Sequence, residues 1–225
     1  MLLRERIYQD LKSDILSGRL GTGEVLSVDQ LAKRYQVSPT PVKEALRLLQ
    51  HEDLVEIVPR IGCRVSHLSL QDVGDLFGFR LIVEGAAARL AARQISEEEL
   101  AALERMGDHY RPGDIASYWA YLQSNREFHY RIACATGNKW LARSVGGLLD
   151  QMQRLFFLRL DLRDAAEEMV EEHRQIVAAL RARDGAAAER AMVSSIENAR
   201  KAVMEAIMGG ARLPAGLPEE EKGTG

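Results

Sequence analysis

Cysteine is scarce in this sequence: its 225 residues hold two, Cys63 and Cys134, far apart. No disulfide framework follows, and a reducing, cytoplasmic setting is expected. Long apolar runs are also missing. None approaches the ~18 residues that cross a bilayer. The opening stretch, MLLRERIYQDLK, is charged too early and too often for a secretory signal. Aromatics make up only 6% of the chain. Nor is there a surplus of positive charge: the formal net charge is −3, which excludes a uniformly basic nucleic-acid binder.

What is present favours helix. Ala, Leu, Arg and Glu are abundant, and 46% of residues are hydrophobic, enough for two modest cores. Charge is unevenly spread. Residues 1–68 hold ten Lys/Arg against nine Asp/Glu, whereas the remainder holds 20 against 24. A near-neutral module still grips DNA when its cations share one face and the molecule pairs with itself.

Ile7, Leu11 and Ile15 recur four apart, one face of a helix over residues 4–17. Gly18, Gly21 and Gly23 then predict a loop. Ser27, three residues before Gln30, predicts a capped second helix with Val28, Leu31, Ala32 and Tyr35 inward. After a break at Gln36-Val37, Ser38 is the expected cap of a third helix. Pro39 suits its first position, where no intrahelical N–H is needed. Val42, Ala45, Leu46 and Leu49 form its apolar stripe. Two short β-like runs, 54–58 and 63–68, flank a Pro59-Arg60-Ile61-Gly62 turn and read as a hairpin.

Three helices and a hairpin, with a tight turn between the second and third, describe a winged helix-turn-helix. Its third helix enters the major groove. The inward stripe leaves Thr40, Lys43, Glu44 and Arg47 facing out. Lys43 and Arg47 lie one turn apart and suit guanine edges or phosphates. Ser38 and Thr40 sit at a helix N-terminus, a natural phosphate position. Arg34 lies on the preceding helix, with Arg60, Gly62 and Arg64 on the hairpin. A bare cationic pair reads more simply as a solvated helix face. Its coincidence with a cap, a tight turn and a basic wing favours DNA.

The segment LSVDQLAKRYQVSPTPVKEALRLLQHEDLV…PRIGCRV resembles the N-terminal signature of GntR-family regulators over residues 4–68. The resemblance implies a dimeric transcription factor, generally a repressor, on a palindromic operator. Three positions depart from the family pattern. Pro39 and Lys43 stand where arginines are usual, and Thr22-Gly23 replaces Pro-Gly. Loss of the arginine at position 39 removes a bidentate contact and implies a different operator or a larger share of affinity for the wing.

From residue 70 onward the pattern is helical throughout. Six helices are expected, near 71–93, 97–109, 114–135, 139–159, 164–183 and 185–208, with breaks at Pro112-Gly113, Gly137-Asn138 and Asp184-Gly185. The predicted fold class is therefore mainly α: a winged helix-turn-helix domain (1–69) and an all-α six-helix bundle (70–208). A Gly-, Pro- and Glu-rich tail (209–225) is expected to be disordered.

Within the bundle, Asn125 and His129 lie one turn apart, and His173 sits on another helix. Each alone reads as well as a satisfied core residue; together they can converge inside a bundle. This half resembles the FCD ligand-binding domain of the FadR-type branch, and its six helices point to the VanR-like subgroup. The resemblance implies a divalent metal, zinc or nickel, held by Asn125, His129 and His173. The family's last histidine falls at Ser195, a weak ligand. That departure leaves three readings: a vestigial site, a weak one, or one completed by an effector carboxylate. Arg80 and Glu84 match the R-x-x-x-E pair whose arginine faces the family's effector cavity. A bidentate guanidinium suits a small organic acid, and an ordinary i,i+4 ion pair is the plainer reading.

Three function classes follow. The first is an effector-responsive regulator that works as a homodimer and is not an enzyme. The second is a metal-dependent enzyme built on Asn125, His129 and His173, for which no nucleophile or base spacing is present. The third is a DNA-binding, dimerising protein indifferent to metabolites.

Overall fold

The computed structural model describes residues 2–59, 62–106, 111, 114–157 and 166–208. Arg60, the Pro112-Gly113 break and the expected tail at 209–225 lie outside the described residues.

The N-terminal module comprises α1 (Leu3–Leu16), β1 (Val25–Leu26), α2 (Val28–Tyr35), α3 (Pro39–His51), β2 (Val55–Val58) and β3 (Gly62–Val65). Ile7, Leu11 and Ile15 meet Leu31, Val42, Ala45, Leu46 and Leu49 in its core. Burying each of the larger side chains is worth about 2 kcal/mol. The helix-turn-helix corner is set by Gln36, the left-handed C-cap of α2, after which the Val37 N–H reaches back to the Ala32 carbonyl at 2.9 Å. Ser27 accepts from the Gln30 N–H, as its spacing predicts. Ser38 occupies the N-cap of α3, but its side chain makes no capping hydrogen bond. Pro39 contributes through its fixed φ instead.

The wing differs from a bare hairpin. It is a three-stranded antiparallel sheet, in the order β1-β3-β2. β1 lies in the stretch read as loop, because two residues are too short for any periodic signal. Gly62, the first residue of β3, has φ +106°, a conformation open to glycine and strained for other residues.

The second module is α4 (Leu70–Ala91), α5 (Glu97–Met106), α6 (Ile115–Cys134), α7 (Lys139–Phe157), α8 (Ala166–Arg181) and α9 (Gly185–Met208). α4 begins with a capping box: Ser69 Oγ accepts from the Asp72 N–H, and the Asp72 carboxylate accepts from the Ser69 N–H. Asn138 Oδ1 caps α7 by accepting from the Trp140 and Leu141 N–H groups. α4 packs chiefly along α9 and also touches α6, α7 and α8. The core between them holds Phe77, Phe128, Ile132, Met152, Ile176, Leu180, Met192 and Ile196. Polar side chains inserted into this core therefore need partners from several helices at once.

Candidate functional site

On α3, Thr40, Lys43, Glu44 and Arg47 are all exposed, opposite the buried Val42, Ala45, Leu46 and Leu49. Among the described residues neither Lys43 nor Arg47 has an ion-pair partner. Glu44 lies 3.9 Å from Arg4. Ser38 is exposed at the helix start. Arg34, by contrast, pairs with Asp14 (3.3 Å) and lies over the Tyr35 ring. On the wing, Arg64 faces Glu56 in the β2–β3 register and binds it at 2.9 Å. Both line the groove between the wing and α4, where Leu76 and Phe79 form the opposite wall. The structure thus brings Ser38, Thr40, Lys43 and Arg47 onto one surface. It turns Arg64 toward the second module, and Gly62 is exposed at the wing end.

The second module contains a buried polar cluster at its centre. Arg80, Glu84, Asn125, His129 and His173 are each 5% exposed or less. Arg80 Nε donates to Glu84 Oε1 at 2.6 Å, the i,i+4 pair anticipated from spacing. The other carboxylate oxygen lies 2.6 Å from His129 Nδ1. That contact is close enough for an ion pair when His129 is protonated. Glu84 Oε2 and His129 Nδ1 are both buried without a completed hydrogen bond among the described residues. Burial would raise the Glu84 pKa, but Arg80 and then His129 outweigh it and hold the carboxyl down at about 2.

His173 stacks face to face on Phe128, with centroids 3.9 Å apart, and meets His129 edge-on at 5.4 Å. Burial, reinforced by His129 and Arg80, pushes its pKa well below the ordinary imidazole value. His173 also floors a groove of about 360 Å³ between α5 and α8, which Leu103, Glu104 and Val170 help to line.

The divalent metal that the resemblance implies would have Asn125, His129 and His173 as ligands, with no imidazole at the fourth position, Ser195. Among the described residues no three His, Cys, Asp or Glu side chains are placed to hold a metal ion. Ser195, at the fourth-ligand position, donates to Glu172 Oε2 at 2.9 Å, while Asn198 donates to Glu172 Oε1 at 2.6 Å. The hydroxyl is thus committed to a carboxylate on α8, whereas His129 turns Nδ1 to Glu84 and keeps Nε2 as its other ring nitrogen.

A second network was not legible in the sequence. Asp150 on α7 receives Lys12 of α1 at 2.7 Å and Arg126 of α6 at 2.5 Å. Lys12 also binds Glu52 at 2.6 Å. Gln151 donates to the Glu52 carbonyl at 2.6 Å, and Arg154 donates to Gln151 Oε1 and to the Ser66 carbonyl. Burial would lower the Lys12 pKa, but Asp150 and Glu52 outweigh it and raise it. These contacts join the two modules through partners about a hundred residues apart. No local spacing announces such pairs.

Against known proteins, residues 3–65 match the family described as "Bacterial regulatory proteins, gntR family", and residues 75–198 match the "FCD domain". BphR of Paraburkholderia xenovorans (strain LB400), an uncharacterized HTH-type transcriptional regulator, is 32% identical over 81% of this chain and 77% of its own. RspR of Escherichia coli (strain K12), an HTH-type transcriptional repressor, is 26% identical over 90% of each. Among solved structures, E. coli McbR/YncC superposes with a TM-score of 0.78 at 20% identity, covering 91% of this chain and 98% of its own. A GntR regulator from Rhodococcus sp. RHA1 gives 0.77 at 19%, covering 93% and 98%. At those identities the likeness shows the fold. The chain belongs to the GntR family of bacterial regulatory proteins, in the branch that carries an FCD domain. It is a DNA-binding transcriptional regulator and not an enzyme.

Proposed function

We propose that this regulator is a cytoplasmic repressor that binds a palindromic operator as a dimer and changes its grip on DNA when a small organic acid enters the FCD domain. Lys43 and Arg47 contact base edges or phosphates, with Ser38 and Thr40 at the phosphate-facing end of α3. Arg34 and Arg64, paired with Asp14 and Glu56, steer the approach rather than read sequence. Repression follows the named repressors among its relatives, RspR included.

The observation that carries the effector reading is the incomplete bonding at the centre of the second core. Glu84 Oε2 and His129 Nδ1, 2.6 Å apart, are buried with no well-aligned hydrogen bond among the described residues. A native protein tolerates this where a ligand completes the set. A carboxylate suits the donors of the set, accepting from the Arg80 guanidinium, an imidazole N–H and the Asn125 amide, and it displaces Glu84 rather than bonding to it. The acid competes with Glu84 for Arg80, so its binding reorders α4 against α6. The bound state needs no metal.

The test is a thermal-shift screen of the metal-stripped full chain against mono- and dicarboxylates. An acid that raises Tm in the wild type, and not in a variant carrying Arg80→Met with Glu84→Gln, supports the reading. Paired replacement avoids stranding a buried charge. If no acid in the panel raises Tm, or if the variant responds equally, the reading falls.

A further inference from the structure

A groove of about 790 Å³ runs between α6 and α7, with Lys12 of α1 at one end. Its size suits a small-molecule ligand. None of Arg80, Glu84, Asn125, His129 and His173 lines it. Helical periodicity sets its walls: Arg126, Tyr130 and Cys134 recur four apart on α6, and Lys139, Arg143 and Gly147 recur four apart on α7.

The lining carries four cations and two carboxylates. Both carboxylates are already engaged: Glu52 holds Lys12, and Asp150 holds Lys12 and Arg126. Lys139 and Arg143 have no ion-pair partner among the described residues. Each lies against the exposed Trp140 ring, 5.6 and 5.2 Å from its centroid. This surplus of positive charge sits on an acidic body, since residues 69–225 hold 20 Lys/Arg against 24 Asp/Glu. A cationic groove in such a setting concentrates anions. Its floor is kept low. A Cβ added at Gly146 would lie 3.1 Å from the Tyr130 ring, so the ring rests directly on α7. A Cβ added at Gly147 meets nothing within 4 Å, so packing within the chain does not require this helix-weakening residue. Any side chain there would project into the groove.

We propose that this groove binds a phosphorylated metabolite, with its phosphate on Lys139 and Arg143 and its body along Tyr130 toward Arg126. Two free cations one turn apart match a phosphate monoester, which carries about −1.5 to −2 at neutral pH, where a carboxylate carries a single charge. A lysine point charge and an arginine fork both suit phosphate oxygens. Arg126 keeps 30% of its side chain exposed while bound to Asp150, so it can meet a second anion. A ligand that reaches Arg126 competes with Asp150, the anion that also holds Lys12. The groove therefore lies on the joint between the modules, and its occupant loosens α1 from α7. This is a second regulatory input, and it stands whether or not an acid binds the central cluster.

The experiment is isothermal titration calorimetry of pyrophosphate into the DNA-free full chain at low ionic strength, with citrate as the carboxylate control. Wild type is expected to bind pyrophosphate saturably and more tightly than citrate. Lys139→Ala with Arg143→Ala is expected to raise Kd more than about tenfold. Its circular dichroism is expected to stay unchanged, because both side chains are exposed. Lys43→Ala with Arg47→Ala removes the cations of α3 and is expected to leave Kd within about twofold. Bound pyrophosphate is expected to slow alkylation of Cys134 by iodoacetamide, since this exposed thiol lines the groove, and to leave Cys63 on β3 unaffected. The proposal is overturned if wild type does not bind, if the Lys139 and Arg143 variant binds equally, or if the Lys43 and Arg47 variant loses binding. Unchanged alkylation of Cys134 places the anion elsewhere and overturns it too. Citrate binding as tight as that of pyrophosphate overturns the assignment to phosphate.

Discussion

Lys12, on the first helix of the DNA-reading module, places its Nζ 2.7 Å from Asp150 on α7 of the effector module. Asp150 in turn holds Arg126, which neighbours Asn125 on α6. α6 therefore carries a residue of the buried polar cluster and, one position later, a residue of the joint between modules. Under the proposed function, a ligand that displaces α6 acts on Asp150, and through it on α1. Each link in this chain is a charge-assisted contact with a partly or fully buried partner.

Asp150→Ala removes the shared anion and leaves Lys12 and Arg126 facing each other. Both cations keep some solvent access, so the loss falls below that of a fully buried pair, at about 1–3 kcal/mol. For a chain of this size that is a fall in Tm of roughly 2–10 °C. Differential scanning calorimetry is also expected to show the two modules melting in separate steps. One unchanged, cooperative transition contradicts the joint.

Arg80→Ala strands Glu84 in the core. The expected cost is about 3–5 kcal/mol, and urea denaturation measures it. Glu84→Gln together with Arg80→Met removes both charges and is expected to recover most of that loss. If the double substitution is as unstable as the single one, packing rather than charge governs the site.

The low pKa of His173 fixes a sign. The group is neutral when folded and protonates more readily when unfolded, near pH 6.5. The unfolded state therefore binds more protons, and the stability contributed by neutral His173 is present above pH 6.5 and lost as pH falls below it. One proton gives at most about 1.4 kcal/mol per pH unit. Glu84, held at about 2, contributes above the ordinary carboxylate range, and its share is lost only as pH falls toward 2. Tm is expected to drop from pH 7 to pH 5, and His173→Gln to flatten that drop. An equal drop in the variant assigns the dependence to other groups.

Much of this organisation was legible beforehand. The stripe Val42/Ala45/Leu46/Leu49 places Lys43 and Arg47 outward because a 3.6-residue period leaves no other choice. The Arg80–Glu84 pair follows from the same period. β1 escaped notice because two residues carry no alternation. Ser38 kept its cap position but not its cap bond, since Pro39 already fixes the turn's entry. The Glu84–His129 contact, the Glu172–Ser195 bond and the Lys12–Asp150–Arg126 joint were invisible for one shared reason. Each links different helices, and side-chain periodicity reports which face is buried, not what waits there.

Lys43→Ala is expected to weaken binding to DNA and to lower the slope of log K against log salt by about one if it neutralises a phosphate. If Lys43 reads a base edge instead, selectivity relaxes at one operator position, by about 1–3 kcal/mol. A fluorescence-anisotropy salt series on a duplex selected from random sequence separates the two. No change in either quantity removes Lys43 from the interface.

Elemental mass spectrometry of tag-free protein purified without chelator is expected to find no stoichiometric zinc or nickel, because Ser195 is committed to Glu172. About one metal per chain contradicts the metal-free site.

The central claim is that an acid in the Arg80–Glu84–His129 cluster alters the grip of α3 on DNA. Its most direct test is a titration of carboxylates into the full chain bound to a labelled, selected duplex, read by anisotropy. The account predicts that at least one acid shifts DNA affinity severalfold in the wild type, and that Arg80→Met with Glu84→Gln abolishes the shift while binding DNA normally. An acid response that survives that double substitution contradicts the account, as does wild-type DNA affinity that no carboxylate moves.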